Sequence, residues 1–266
     1  MAFARWTGHS LMNETRSPRW AEALKRFQTI EGMLALLEAG TMTAMLEWQN
    51  AAGIVGNMAE FGTFKGRSAS LLAHYIRDRE KLFLVDVADY LDVTAISSIT
   101  TNFEFLKMDS AKFLGQRFGR RVQNDFRFVH ADGSHTFDNV YNDLKTADAL
   151  LSKSGIVVVD DYFNPHYPQV PAAIYHYLAL ARTDFAVALI GANKCYLCRK
   201  AFHPAMKQFI KGEFPRLMES FGLPIRLSKT DRHEKMDCFS FTGRPAGSEE
   251  KIYGAHLYGR FFSDQR

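Results

Sequence analysis

Between Trp20 and Leu46 apolar residues recur at intervals of mostly three and four: Leu24, Phe27, Ile30, Met33, Leu34 and Leu37, then Met42, Met45 and Leu46. That spacing predicts helices, with Gly40 dividing two segments. Past Ala52 the pattern changes to short apolar runs, several of which stop at acidic residues. Runs at 53–61, 82–86, 103–106, 126–130, 156–159, 185–190 and 195–198 predict strands. Helical spacings fall between them at 68–75, 109–118, 137–152 and 171–183. Strands alternating with helices predict a mostly parallel α/β sheet with helices on both faces. Only a short link around Gly191-Ala192-Asn193 separates the last two strands, which therefore form an antiparallel hairpin. Residues 1–18 read as an irregular lead-in. The expected division is an N-terminal helical cover (1–50), a central α/β domain (51–200) and an extension packed on that domain (201–266). The extension mixes a helix-like stretch over 207–221 with a strand-like run at 238–242.

Composition narrows the function classes. The formal net charge of +4 is spread over both halves of 266 residues, too diffuse for a nucleic-acid groove. No apolar stretch approaches the roughly 20 residues that cross a bilayer, and the first ten residues lack the apolar core of a secretion signal. A cytoplasmic protein with a small-molecule partner is expected, with association of identical copies left open. Three cysteines, Cys195, Cys198 and Cys238, argue against a disulfide framework. Cys195 and Cys198 form a C-x-x-C inside a strand, where residues three apart point to opposite faces and do not share a ligand.

In an open parallel sheet a ligand binds beyond the carboxyl ends of the strands. The loop from Glu60 to Ser68, between the first strand and its helix, belongs there. Gly62 and Gly66 would let the backbone pass close to a ligand, and the helix N-terminus near Ser68 offers unpaired N–H groups. The G-x-G-x-x-G of a dinucleotide site is absent. An acidic residue, Glu60, stands two positions before the first glycine, which suits a cationic ligand such as S-adenosylmethionine. Asp86 ends the second strand, where a carboxylate can accept ribose hydroxyls. Asp109 and Ser110 come after the third, where they cap a helix or meet an adenine edge. The expected cofactor set is Glu60, Gly62, Thr63, Gly66, Ser68, Asp86, Asp109, Ser110 and Asp132.

The fourth predicted strand ends in Asp132, with His135 three residues on, and the fifth ends in Asp160 and Asp161. Adjacent parallel strands would set these carboxylates side by side, where they repel unless a cation neutralises them. Oxygen ligands of that kind suit Mg²⁺, with Mn²⁺ and Ca²⁺ as alternatives. The plainer alternative has Asp132 starting a turn and Asp161 capping the segment after it. His135 is placed to take a proton, because imidazole titrates near neutral pH.

The motifs E-F-G-T-F-K-G-R-S, L-V-D, K-M-D-S, H-A-D-G-S-H-T-F-D-N-V and G-I-V-V-V-D-D-Y together resemble class I methyltransferases. More narrowly they resemble the metal-dependent O-methyltransferases of antibiotic sugars, the macrocin O-methyltransferase group, and their catechol O-methyltransferase-like relatives. The resemblance runs from about Gly53 to Lys200. It implies a Rossmann-like seven-stranded mostly parallel sheet with a C-terminal antiparallel hairpin and S-adenosylmethionine held by the Glu60–Gly66 loop and Asp86. It further implies Mg²⁺ on Asp132, Asp160 and Asp161, His135 as general base, and O-methylation of a sugar or phenol hydroxyl of a secondary metabolite. The chain departs from the W-R-G-G-x loop usual in the sugar enzymes, having F-K-G-R-S. Its first 50 residues and those after Lys200 match nothing assigned, which leaves the acceptor open. Two alternatives stand beside this reading: a metal-independent N- or O-methyltransferase, and a protein of another activity on the same scaffold. Among the aromatics, Tyr162 and Phe163, directly after the acid pair, are expected nearest the acceptor.

Overall fold

The computed structural model describes residues 18–116, 122–229 and 238–243. Helix α1 (Pro18–Thr29) is followed by α2 (Leu36–Ala51), so the break falls at 30–35 and not at Gly40. Gly40 lies inside α2, where a Cβ would come within 2.4 Å of the Leu223 side chain. Its smallness serves packing. Helix α2 starts where it does because the Glu38 carboxylate accepts the Ala35 N–H at 2.7 Å, satisfying a backbone donor at the helix start.

The alternating pattern then forms β1 (Asn57–Phe61), α3 (Arg67–Ala73), β2 (Leu82–Asp86), α4 (Val93–Ser97), β3 (Phe103–Lys107) and a 3₁₀ turn at Ser110–Gly115. It continues through β4 (Phe126–Ala131), α5 (Phe137–Leu150), β5 (Leu151–Val159), α6 (Gln169–Leu180), β6 (Phe185–Gly191) and β7 (Lys194–Arg199). The helix expected at 109–118 is thus a short 3₁₀ turn, capped by the Asp109 side chain, which accepts the Ala111 N–H. Pro171, where the helix over 171–183 was expected to begin, sits in the first turn of α6, where a missing N–H is harmless.

The sheet order is β3-β2-β1-β4-β5-β7-β6-β9-β8. Strands β1 to β5 are parallel to their neighbours, and β7 turns antiparallel between β5 and β6. All seven expected strands and the hairpin are present. After α7 (His203–Gly212) and α8 (Phe214–Ser220), two further strands, β8 (Ile225–Lys229) and β9 (Phe239–Gly243), join beyond β6, making nine among the described residues. Among the described residues, no helix is long and apolar enough to cross a membrane.

Period-two alternation sorts the side chains to two faces. Met58, Leu84, Phe128, Val158, Tyr196 and Cys198 pack with residues of α1, α2, α3, α7 and α8. Ala59, Phe61, Val129, Val157, Cys195 and Leu197 pack with residues of α5 and α6. Cys195 and Cys198 therefore lie on opposite faces, both buried thiols. The cover is tied down at the amino end of β4. Fully buried Arg127 donates to Glu80 Oε2 and Gln49 Oε1 at 3.0 and 3.1 Å, while Gln49 Nε2 donates to the Arg127 carbonyl at 2.6 Å.

Candidate active site

The chain moves outward from β1 through β2 to β3, then returns to β4 on the other side of β1. That reversal is where open α/β sheets form a crevice. The ladder continues one residue past the strands, because the Asp132 N–H donates to the Phe61 carbonyl at 2.8 Å and the Asp160 N–H to the Ala131 carbonyl at 3.0 Å. Asp132 and Asp160 therefore stand abreast. A pocket over this edge is lined by Leu34, Glu38, Phe64, Asp132, His135 and Asp161, among others. Its outer wall comes from the connection between α1 and α2.

A row of buried charge runs beneath it on one face of the sheet. Strand register sets Glu60 beside His130. Glu60 Oε1 lies 2.8 Å from His130 Nδ1, and His130 Nε2 lies 3.3 Å from Lys194 Nζ. Lys194 is ion-paired with Asp160 Oδ2. That pairing follows from the antiparallel register, in which Val159 faces Cys195, so the next residue along β5 meets the one before it on β7. Glu60, His130 and Lys194 are fully buried.

Burial pushes the Lys194 ammonium toward losing its proton, but the charges of Asp160, Asp132 and Glu38 outweigh it and hold its pKa above the ordinary lysine value. Burial likewise pushes Asp160 up, and Lys194 and His130 reverse this, leaving its carboxyl below the usual range. Asp132 moves the other way. Burial first, then the Asp160 charge, raise it well above an ordinary aspartate.

His135 Nδ1 sits 3.2 Å from Asp161 Oδ2, and the Tyr167 ring lies against the imidazole at 4.0 Å between centroids. Asp161 takes a left-handed φ of 57°, rare for a non-glycine residue. Its Oδ1 accepts the side-chain amides of Asn164 and Asn193 at 2.8 and 2.9 Å, which holds it there. The aromatic partner of His135 is thus Tyr167, while the Tyr162 hydroxyl bonds that of Tyr175 at 2.8 Å.

The glycine loop is shaped by its protein neighbours. Gly62 has φ +84°, and a Cβ there would come within 1.9 Å of the Asp132 carbonyl oxygen. Gly66, at φ +94°, would meet Leu91 at 2.7 Å. Thr63 is buried with its hydroxyl 3.5 Å from the Val85 carbonyl, and Ser68 lines the pocket. Asp86 accepts the Phe64 and Ala88 N–H groups at 2.8 and 2.9 Å, fixing the loop on β2. Asp109 caps the 3₁₀ turn, and Ser110 donates its hydroxyl to Asp143 Oδ1. Of the expected cofactor set, Ser68 and Asp132 line the pocket that gathers His135, Asp160 and Asp161, whereas Glu60, Gly62, Thr63, Gly66, Asp86, Asp109 and Ser110 do not.

Burial raises the Asp143 pKa to about 7 despite the Ser110 bond. A raised acid pKa favours the protonated folded state. Its stabilising effect is complete below the unfolded aspartate value and is lost as pH rises through about 7. Asp143→Asn should therefore flatten the fall in melting temperature between pH 5 and pH 8. A slope equal to that of the unmodified chain would show Asp143 ionised throughout.

The three carboxylates expected to share one metal, Asp132, Asp160 and Asp161, do not fall in a single group. Asp160 and Asp161 fall in separate groups whose ligand atoms lie within 4.8 Å of one another: His130, Asp132 and Asp160 in one, and Asp132, His135 and Asp161 in the other. Asp160 Oδ2 is taken by Lys194, and its Oδ1 accepts the Asp161 N–H at 2.7 Å. An S-adenosylmethionine site fits better. Glu60 Oε2 is buried with no hydrogen-bond partner, and a buried carboxylate oxygen calls for a cationic donor such as an α-amino group.

Residues 59–162 match the model of a family described as a methyltransferase domain. No curated protein matches the chain. Among solved structures, the O-methyltransferase NovP is 15% identical with a TM-score of 0.52, the match covering 63% of this chain and 81% of NovP. The MycE methyltransferase of the mycinamycin biosynthetic pathway, in complex with Mg and SAH, is 17% identical with a TM-score of 0.50. That match covers 70% of this chain and 55% of MycE. The fold is the one shared with these methyltransferase structures. The match to a methyltransferase domain spans residues 59–162, from β1 through the turn after β5.

Sequence reasoning passed over Lys194, His130 and Glu38. The signal for Lys194 was available: a lone lysine opens an apolar strand that a tight hairpin turns back beside the Asp160-Asp161 pair.

Proposed function

We propose that this chain transfers the methyl group of S-adenosylmethionine to a hydroxyl of a small-molecule acceptor. The observation that carries the reading is His135, oriented by Asp161 beside Asp132 at the mouth of the pocket. With Nδ1 facing Asp161, Nε2 is the nitrogen that takes the acceptor proton. Bound S-adenosylmethionine supplies an electrophilic methyl on a sulfonium. When that methyl is transferred, His135 Nε2 would accept the proton of the acceptor hydroxyl. Asp161 then steadies the imidazolium through Nδ1–H. Holding both reactants in one geometry supplies much of the acceleration.

The cover segment takes part through residues 31–34 and Glu38, which wall the pocket. Met33 is 85% exposed there and offers an apolar lip to an acceptor. The acceptor class in this reading is a sugar or phenol hydroxyl of a secondary metabolite; NovP is an O-methyltransferase and MycE belongs to the mycinamycin biosynthetic pathway.

Calorimetry with S-adenosylhomocysteine, followed by a labelled-methyl screen of diol-containing metabolites, tests the reading. No heat at high micromolar concentration, or label found only on nitrogen, would count against it. Glu60→Gln should keep the fold while weakening S-adenosylhomocysteine binding about 10- to 100-fold, the loss of a charge-assisted bond. Unchanged affinity would move the α-amino group elsewhere.

A further inference from the structure

With the proton given to His135 and the cofactor α-amino group to Glu60, the rest of the buried row, His130, Asp160 and Lys194, is left without a task. Lysine is almost never fully buried unless paired, and here its whole environment is arranged around it. Strand register delivers Lys194 to Asp160, His130 Nε2 stands 3.3 Å away, and Asp132 and Glu38 both act on its charge. The ammonium thus sits at the carboxyl edge of β5, on one of the carboxylates that a divalent ion would need. A divalent ion beside it would meet direct repulsion and would have to displace a fully buried cation from Asp160.

We propose that Lys194 is the resident cation of this site: its ammonium takes the place at Asp160 that a divalent metal would occupy, so the pocket works without a bound metal. The proposal rests on reading the pocket as the methyl-transfer site. Lys194 acts through Asp160 as a positioning residue. It neutralises the acid whose charge acts most on Asp132 and keeps the edge of the sheet from carrying unbalanced negative charge. His135 and Asp161 remain free for the acceptor.

Mn²⁺, followed by electron paramagnetic resonance, is the probe, titrated into the full chain with and without saturating S-adenosylhomocysteine. The unmodified chain should bind Mn²⁺ no more tightly than about 1 mM, the weak end for oxygen-ligand sites. Lys194→Met, close in length and without charge, should tighten binding at least about tenfold by freeing Asp160, and adding Asp132→Asn should undo the gain. Sub-100 µM binding by the unmodified chain, at about the level of ordinary sensor sites, would overturn the proposal. So would a folded Lys194→Met chain that gains no affinity. If Lys194→Met does not fold, Lys194→Gln, which keeps a donor for Asp160 without the charge, is read against the same two outcomes. Binding of S-adenosylhomocysteine is measured separately by calorimetry. Its absence would sink the methyl-transfer reading, while the Mn²⁺ titration would still decide the place of Lys194.

Discussion

Replacing His135 by alanine should lower turnover by about 10²- to 10⁴-fold, the usual contribution of a positioned general base. The fold should survive, because the His135 side chain is 30% exposed and held mainly by Asp161 and the Tyr167 ring. Affinity for S-adenosylhomocysteine should stay within about threefold, since the imidazole belongs to the acceptor side of the pocket. Two controls separate a base from a scaffold. Added imidazole should restore part of the lost rate to the alanine variant, which a merely structural histidine would not allow. Asp161→Asn should fall between the two, because the amide keeps the contacts to neighbouring side chains but no longer stabilises a protonated ring. Full activity in His135→Ala, with any acceptor that the unmodified chain methylates, would remove the mechanism.

The parts of this site that were legible in the sequence are those written in local pattern. The apolar runs stopping at Asp86, Asp132 and Asp160 gave strands with acidic ends, and alternation with helices gave the parallel order. Two cysteines three apart in a strand had to face opposite ways, and they do. What was illegible depends on neighbours distant in the chain. The break at 30–35 in place of Gly40 is decided by the Glu38 cap and by Leu223, which fills the space beside Gly40. The role of Asp160 is decided by β7, a strand from 34 residues further on that turns a lysine onto it. A row of acids reads as a metal site only while its counter-charge is unknown. Strand β8 was missed because its run, I-R-L-S-K, is short and largely polar, and its burial comes from pairing with β9.

Gly62→Ala should be the most damaging single-methyl change in the loop, lowering stability by at least about 3 kcal/mol, as expected where overpacking and backbone strain coincide. The added Cβ would stand 1.9 Å from the Asp132 carbonyl oxygen, and that neighbour is backbone that cannot rotate away. The loop cannot retreat either. The Gly62 N–H donates to the Val85 carbonyl at 2.8 Å, and the Asp132 N–H to the Phe61 carbonyl at the same distance. For a chain of this size the loss corresponds to a fall in melting temperature of roughly 6–12 °C. Left-handed backbone alone does not explain so large an effect, and two neighbours supply the comparison. Gly53, at φ +68° with nothing within 4 Å, should lose only about 1–2 kcal/mol on change to alanine. Gly66, at φ +94° with the end of Leu91 at 2.7 Å, should fall between, because a side-chain methyl can move. Melting curves of the three variants should therefore rank Gly53, Gly66, Gly62 in order of increasing damage. Equal losses would mean that φ sets the requirement and that the approach to Asp132 does not. The same contact ties stability to chemistry: whatever relieves the clash at Gly62 must shift Asp132, so any Gly62→Ala chain that folds should also lose activity.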